Sequence, residues 1–327
     1  MGELRATNQA AHASVQDTSP RIAVLIPCHN EEAAIGKVIA AFARELPSAA
    51  IYVYDNNSTD RTIEVARAAG AFVSVERLQG KGNVVRRMFS DIEADAYVLV
   101  DGDDTYEAAS SVSMLDMLFT EGIDMVTGTR VTNISAAYRR GHRFGNVMLT
   151  GIVRSIFGDR ITDMLSGYRV FSRRFVKSFP ALSSGFETET ELTIHALELK
   201  MPLGELETPY RDRGEGSTSK LNTYKDGVRI LATIVSLVKD QRPLQFFTIA
   251  GVILFVLGVG LSVPILIEFH QTHLVPRFPT AILSTGIVLL SFLSMVCGLV
   301  LDSVARGRKE AKRMTYLSIP ASIIRRG

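Results

Sequence analysis

Tyr97-Val-Leu-Val-Asp-Gly-Asp-Asp-Thr105 is the stretch whose reading decides the fold. Four β-prone apolar residues, Tyr97, Val98, Leu99 and Val100, stop abruptly at Asp101, Gly102, Asp103 and Asp104. An unbroken apolar run of this kind reads as a strand covered on both faces. In open α/β sheets such strands present ligands at their carboxyl ends. Three carboxylates crowded there repel one another unless a cation sits among them. A hard divalent ion such as Mg²⁺ suits the position, since it commonly takes one or two carboxylates together with substrate phosphates. Gly102 is expected to let the backbone turn so that Asp101 and Asp103 face one ion. The plainer alternative is a solvated acidic turn. The place directly after a buried strand favours the metal–phosphate reading.

Working outward, strands alternate with helices. Ile22–Pro27 reads as a strand stopped by proline, and Cys28-His-Asn-Glu-Glu32 as the turn into a helix running to about Leu46. Ile51–Tyr54 is a second strand, ending in Asp55-Asn-Asn-Ser-Thr-Asp60, with a helix to about Ala69 that Gly70 stops. Ala71–Val75 is a third strand. Gly80-Lys-Gly82 and a basic helix with Arg86 and Arg87 follow, and then the strand before Asp101. Further strands are expected at Asp124–Arg130 and Leu203–Tyr210, and a helix over 186–200. This alternation predicts a doubly wound, mainly parallel α/β sheet whose polar strand ends share one edge.

At that edge Asp55 offers a fixed acceptor for ribose hydroxyls or a base N–H, or else belongs to a helix N-cap with Ser58 or Thr59. Lys81 between two glycines could approach a phosphate, although the motif is too short for a P-loop. The stretch Arg211–Lys220 is rich in glycine and cations. It reads either as a loop that grips an anion once ordered or as a solvated surface loop.

The bulk properties narrow the class. The chain has 327 residues and a formal net charge of +2, which gives no polyelectrolyte reason to expect nucleic acid as a partner. The two cysteines, Cys28 and Cys297, form neither a zinc motif nor a disulfide framework. Residues 1–20 lack the apolar core of a signal peptide and read as a disordered leader. The mean hydropathy is positive, and the excess lies near the C-terminus.

Leu244–Ile267 and Thr280–Leu301 carry no charge over 24 and 22 residues. Each is long enough to cross a hydrocarbon core of ~30 Å at ~1.5 Å per residue. Tyr224–Asp240, with an apolar face at helical spacing, reads as a juxtamembrane helix within 224–243. Lys239, Arg242, Arg306, Arg308, Lys309, Lys312 and Arg313 flank the two spans, while the loop between them has one arginine and no lysine. The positive-inside rule then puts residues 21–223 and a basic tail, 304–327, in the cytosol, on a multi-pass protein of the inner (plasma) membrane.

Over about residues 22–230 the chain resembles the family 2 glycosyltransferases of GT-A fold. More narrowly, it is similar to the polyprenyl-phosphate glycosyltransferases. The matching pieces are Pro27-Cys-His-Asn-Glu31, Tyr54-Asp-Asn-Asn-Ser-Thr-Asp60, Gly80-Lys-Gly82, Asp101-Gly-Asp103 (the DxD motif) and Gly128-Thr-Arg130. Arg143 with Asn146, Asp163-x-x-Ser-Gly-Tyr-Arg169, Asp212-Arg213 and Ser219-Lys220 complete the series. Asn56 departs from the pattern, standing where the family has a second acid. The chain contains no tryptophan, so the Gln-x-x-Arg-Trp motif of processive polysaccharide synthases is absent.

The resemblance implies metal-dependent, inverting transfer of one sugar from a nucleoside diphosphate sugar to a polyprenyl phosphate. Asp101 and Asp103 would hold Mg²⁺ or Mn²⁺. Pro27, Asn30, Glu31, Asp55, Asn57, Lys81, Asp101 and Gly102 would line the donor site. Arg130, Arg143, Arg213 and Lys220 would cradle the acceptor phosphate, with Asp163 orienting the sugar or those arginines, or else serving as a structural brace. The phosphate acceptor is already anionic, so no general base is needed. A hydroxyl acceptor on a glycan would need one, from Asp163 or Glu189. A non-catalytic scaffold that binds nucleotide sugar is the third reading. The two-span relatives suggest a homo-tetramer.

Overall fold

The computed structural model describes residues 19–131, 161–185, 187–211 and 242–321, with 151, 236, 239 and 240 besides. Arg143, Arg213, Lys220 and nearly all of the expected juxtamembrane helix lie outside those residues.

Seven strands form one sheet in the order β3-β2-β1-β4-β6-β5-β7. They are β1 (Ile22–Cys28), β2 (Ala50–Asp55), β3 (Phe72–Val75), β4 (Ala96–Leu99), β5 (Met125–Val131), β6 (Arg169–Ser172) and β7 (Leu203–Pro209). β1 pairs in parallel with β2 and β4, β2 with β3, and β5 with β7. β6 runs antiparallel between β4 and β5. The sheet is therefore mainly parallel, as the strand–helix alternation predicts.

Two details differ from the sequence reading. β1 continues through Pro27 to Cys28, because its pairing with β2 extends as far as Cys28–Asp55. β6 was not foreseen. It has four residues, begins with a buried arginine and carries no alternation long enough to read as a strand.

Side chains alternate across the strands into two cores, as a pleated sheet requires. Leu25, Tyr97, Leu99 and Phe171 pack under α3 (Lys81–Asp91), α5 (Arg173–Ser178) and α6 (Thr188–Leu199). Val24, Ile26, Val98 and Val170 pack under α1 (Ile35–Glu45), α2 (Thr62–Ala68) and α4 (Ser110–Thr120). In α1, Ile35, Val38, Ile39 and Phe42 fall at helical spacing and all are buried. Each such side chain stabilises the fold by about 1.5–3 kcal/mol relative to exposure.

Beyond the sheet lie two long helices, α7 (Pro243–Thr272) and α8 (Phe278–Leu317). Both are long and apolar enough to cross a membrane. They pack along small-residue seams that repeat every seven positions, Gly251 and Gly258 on α7 and Ser284, Ser291 and Gly298 on α8. A Cβ on Gly258 would come within 2.7 Å of Val288, and one on Gly298 within 2.9 Å of Phe247. Glycine thus permits the close approach that apolar helices use in place of hydrophobic segregation. Outward residues such as Ile253 and Leu289 are well exposed.

α8 has 40 residues, roughly 60 Å at 1.5 Å each, about twice a hydrocarbon core. Its polar end reaches back to the sheet domain. Tyr316 donates to Asp124 Oδ2 at 2.6 Å, Lys312 pairs with Glu198 at 2.9 Å and Arg313 donates to the Leu199 carbonyl. Asp124 is wholly buried and also accepts from Arg174 and Ser172. The Arg174 guanidinium lies 4.9 Å from the centre of the Tyr316 ring.

Candidate functional site

The carboxyl ends of β2, β1 and β4 stand side by side, and the polar loops beyond them form one edge. Asn30, after β1, adopts a left-handed backbone (φ 55°) and accepts from the Thr59 amide at 2.8 Å. Its own amide donates to Ser58 Oγ, so the first two loops brace each other. The Glu31 amide donates to Thr62 Oγ1 at 2.9 Å.

Asp55 closes β2 and is 1% exposed. Its Oδ2 accepts from the Ser58 amide at 2.9 Å, whereas its Oδ1 is buried with no hydrogen-bond partner among the described residues. A buried carboxylate oxygen left unpaired is costly, and a ligand N–H or O–H would relieve it. Asn56, which replaces the family acid, turns its amide on the next loop. It donates to the Glu76 and Leu78 carbonyls at 2.9 and 2.8 Å and accepts from the Gly80 amide at 2.7 Å. A carboxylate could not make the two donated bonds. Asn57, also left-handed (φ 62°), donates to the Arg77 carbonyl and to Gln79 Oε1.

The Gly80-Lys-Gly82 turn is shaped by protein, not by open space for a phosphate. A Cβ on Gly80 would sit 2.1 Å from the Ser184 carbonyl oxygen, and one on Gly82 2.2 Å from that of Ser183. The chain over 183–184 thus lies against this turn, and the Gly82 amide donates to the Ser184 carbonyl. Lys81 Nζ is 2.5 Å from Asp101 Oδ1 and 2.5 Å from Glu189 Oε1. Burial would lower the Lys81 ammonium, but the Asp101 and Glu189 carboxylates outweigh it and hold it above the ordinary lysine range. The positive charge that the acidic loop demands is therefore supplied beside Asp101 by the protein itself.

Asp103 is buried, and its Oδ1 accepts from Thr105 Oγ1 at 2.7 Å. Gly102 is not left-handed. The chain does bend at this glycine, and the position also needs space, since a Cβ there would meet Cys28 Sγ at 2.7 Å. The Cys28 thiol is pushed well up, first by burial and then by Glu31, Asp55, Asp101 and Asp103. Among the described residues no three His, Cys, Asp or Glu side chains converge as a metal centre.

On the other flank Arg130 leaves β5 and forms a two-pronged pair with Asp163, Nε to Oδ2 and Nη2 to Oδ1, both 2.8 Å. Burial would raise the Asp163 carboxyl, but the Arg130 bonds and charge outweigh it and hold it below the ordinary aspartate value. The Arg130 guanidinium lies 5.7 Å from the Tyr210 ring centre, and Tyr106 packs edge-on against Tyr210. Gly167 presses on the Asp101 carboxylate and donates its amide to the Tyr106 hydroxyl at 3.0 Å.

Arg169, in the same motif as Asp163, turns inward instead. It is fully buried and donates to the Ser166 and Met164 carbonyls and to Thr193 Oγ1. Burial lowers its guanidinium from the usual arginine range. Of the predicted site residues the structure thus pairs Lys81 with Asp101 and Arg130 with Asp163, while Asp55 and Asp103 stand at and just beyond the ends of β2 and β4 on the same sheet edge. Sequence reading gave Asn56 no positive role, and weighed Glu189 as a base but not as a partner of Lys81. The one available signal was Glu187-x-Glu189-x-Glu191 at a helix start, which does not say which carboxylate turns inward.

The family model described as glycosyl transferase family 2 matches residues 23–179. Glycosyltransferase AglJ of Haloferax volcanii is 32% identical over 303 residues, 92% of this chain and 99% of its own. A dolichyl-phosphate hexose transferase of the same organism is 30% identical over 221 residues, 68% of this chain and 95% of its own. Glucosyl-3-phosphoglycerate synthase from Mycobacterium tuberculosis, solved with Mn²⁺, uridine diphosphate and glucosyl-3-phosphoglycerate, has the same fold. Its TM-score is 0.56 at 22% identity, over 68% of this chain and 80% of that one.

Proposed function

The chain belongs to glycosyltransferase family 2, and from that premise we propose that it moves a single sugar from a nucleoside diphosphate to a polyprenyl phosphate, with inversion, at the cytosolic face of a membrane. One observation carries the choice of acceptor. Asp163 and Glu189, the side chains a hydroxyl acceptor would call on as base, are each engaged by a cation, Arg130 and Lys81. A carboxylate held by an arginine below its ordinary range is a poor proton acceptor. A phosphate monoester does not need one, because with a second pKa around 6 it is already an anionic nucleophile at neutral pH. The similarity to a dolichyl-phosphate hexose transferase and the two long apolar helices support the same acceptor.

On the donor side the unpaired Asp55 oxygen would accept a base N–H or a ribose hydroxyl. Asp101 and Asp103 would be the oxygen donors for Mg²⁺ or Mn²⁺, and a pair of carboxylates suits a hard divalent ion. When bound, that ion supplies charge stabilisation for the departing nucleoside diphosphate. Arg130, fixed by Asp163 and Tyr210, would orient the incoming phosphate from the other flank, together with Arg143, Arg213 and Lys220. α7 and α8 would hold the domain where a lipid head group can reach it, and the protein would work as a homo-oligomer.

The test is purified full-length protein with labelled nucleotide sugars, polyprenyl phosphate and Mg²⁺ or Mn²⁺. The expected result is a singly glycosylated lipid phosphate, with a rate that stays flat with falling pH until the acceptor phosphate takes up a proton. A product glycosylated on a hydroxyl, with a rate that falls through a carboxylate pKa, would replace this acceptor. Binding of nucleotide sugar without any turnover would leave only a scaffold.

A further inference from the structure

The ammonium of Lys81 is 2.5 Å from two carboxylates, yet only one of them, Asp101, faces the acidic turn. The other, Glu189, comes from the first turn of α6, which covers the same face of the sheet as α3, and its side chain is 8% exposed. Lys81 opens α3, so a flexible four-carbon stem is held at its tip by two separate elements. The Glu189 backbone is itself fixed, with its carbonyl accepting from Thr193 Oγ1 at 3.0 Å.

We propose that Glu189 is a positioning residue for the donor, holding the Lys81 ammonium at the site so that it faces the diphosphate once a divalent ion takes Asp101. The inference rests on the donor reading above and adds to it a residue on the far side of the lysine. Asp101, Asp103 and Glu189 against Lys81 leave two negative charges, which one dication balances. The diphosphate then brings fresh negative charge, and Lys81 is the cation standing next to Asp101 that can meet it. Without Glu189, Asp101 is the carboxylate left to the ammonium among the described residues, and the pair, already at 2.5 Å, would hold each other away from the ligand.

The experiment uses the full-length protein and three variants, Glu189→Gln, Lys81→Met and the double variant. Mn²⁺ binding without nucleotide is followed by electron paramagnetic resonance, and binding of uridine or guanosine diphosphate with Mn²⁺ by calorimetry. Glu189→Gln is expected to weaken diphosphate binding by about tenfold to a hundredfold, the scale of a lost charge-assisted hydrogen bond, and also to weaken Mn²⁺ alone. Lys81→Met is expected to weaken diphosphate binding similarly but to leave Mn²⁺ alone as tight or tighter, because Asp101 is released. The double variant should match Lys81→Met. Glu189→Asp, with the charge kept and the reach shortened, should fall between parent and Glu189→Gln, and it serves if the glutamine variant does not fold. Parent-like diphosphate binding by both Glu189 variants, or a further loss when Glu189→Gln is added to Lys81→Met, would overturn the inference. A parent protein that binds neither diphosphate with Mn²⁺ would overturn the donor reading itself.

Discussion

Arg130 and Asp163 meet through two parallel hydrogen bonds of 2.8 Å, and both side chains are mostly buried, with 17% and 13% exposure. This fork-to-fork geometry is the strong form of an ion pair. It makes Asp163 the partner that fixes Arg130, the arginine proposed to meet the acceptor phosphate. Arg130→Lys keeps the charge but loses the fork, and it is expected to raise the Michaelis constant for polyprenyl phosphate at least tenfold with little change for the nucleotide sugar. Equal losses for both substrates would place Arg130 elsewhere in the reaction.

The same pair sets an acid limit on stability. The Asp163 carboxyl lies below its ordinary value of 3.8 in the folded protein. Its contribution is therefore complete above that value and is lost as pH falls through the lower folded one. Asp163→Asn removes this dependence. Acid unfolding of the variant should be less steep below about pH 4, with a loss at neutral pH of about 1–3 kcal/mol. An unchanged acid slope would show that the pair contributes nothing to folding.

Asp55 carries a cost in the free protein, because one of its oxygens is buried and unpaired. Asp55→Asn removes the charge and can keep the bond from the Ser58 amide. The variant is expected to be as stable as the parent or more stable by up to about 2 kcal/mol, while binding nucleoside diphosphate at least tenfold more weakly. A variant that is less stable and binds normally would make Asp55 a structural residue.

Asp103→Ala should abolish Mn²⁺ binding and reduce turnover by more than about a hundredfold, with melting changed little. Its side chain is held in the described structure through Thr105, so Thr105→Val should weaken Mn²⁺ binding several-fold in the same assay. Lipid glycosylation at the parent rate in Asp103→Ala would remove the metal assignment.

Gly82→Ala tests the packing at the glycine turn. Its Cβ would lie 2.2 Å from the Ser183 carbonyl oxygen, so backbone must shift. Overpacking of this kind costs about 1–3 kcal/mol, measured as a lower denaturation midpoint. A neutral result would mean that the chain at 183–184 moves away freely.

Periodic and terminal signals were the legible part of this protein. Ile35, Val38, Ile39 and Phe42 announce α1, and the run ending at Asp101 announces β4 and the functional edge. The charge-free stretches announce α7 and α8. What stayed illegible depends on partners distant in sequence. The antiparallel β6 is too short to carry a pattern, and it starts with Arg169, a residue that composition places at the surface. Lys81 read as a lysine that could approach a phosphate, and its two carboxylate partners stayed hidden because they lie 20 and 108 positions away. Gly102 read as a turning point, and it does sit in a bend, but the sequence does not reveal that Cys28 Sγ also fills the space beside it.

α6 is gripped at both ends. Glu189 in its first turn holds Lys81, and Glu198 in its last holds Lys312 of the long apolar helix. Twelve residues of helix span about 18 Å, so the rim proposed to receive the nucleotide and the shaft of α8 are bolted to opposite tips of one short beam. Cutting the chain after the sheet domain would free one tip of that beam. An excised catalytic half would then keep every residue named at the nucleotide rim and still be a looser machine than the whole.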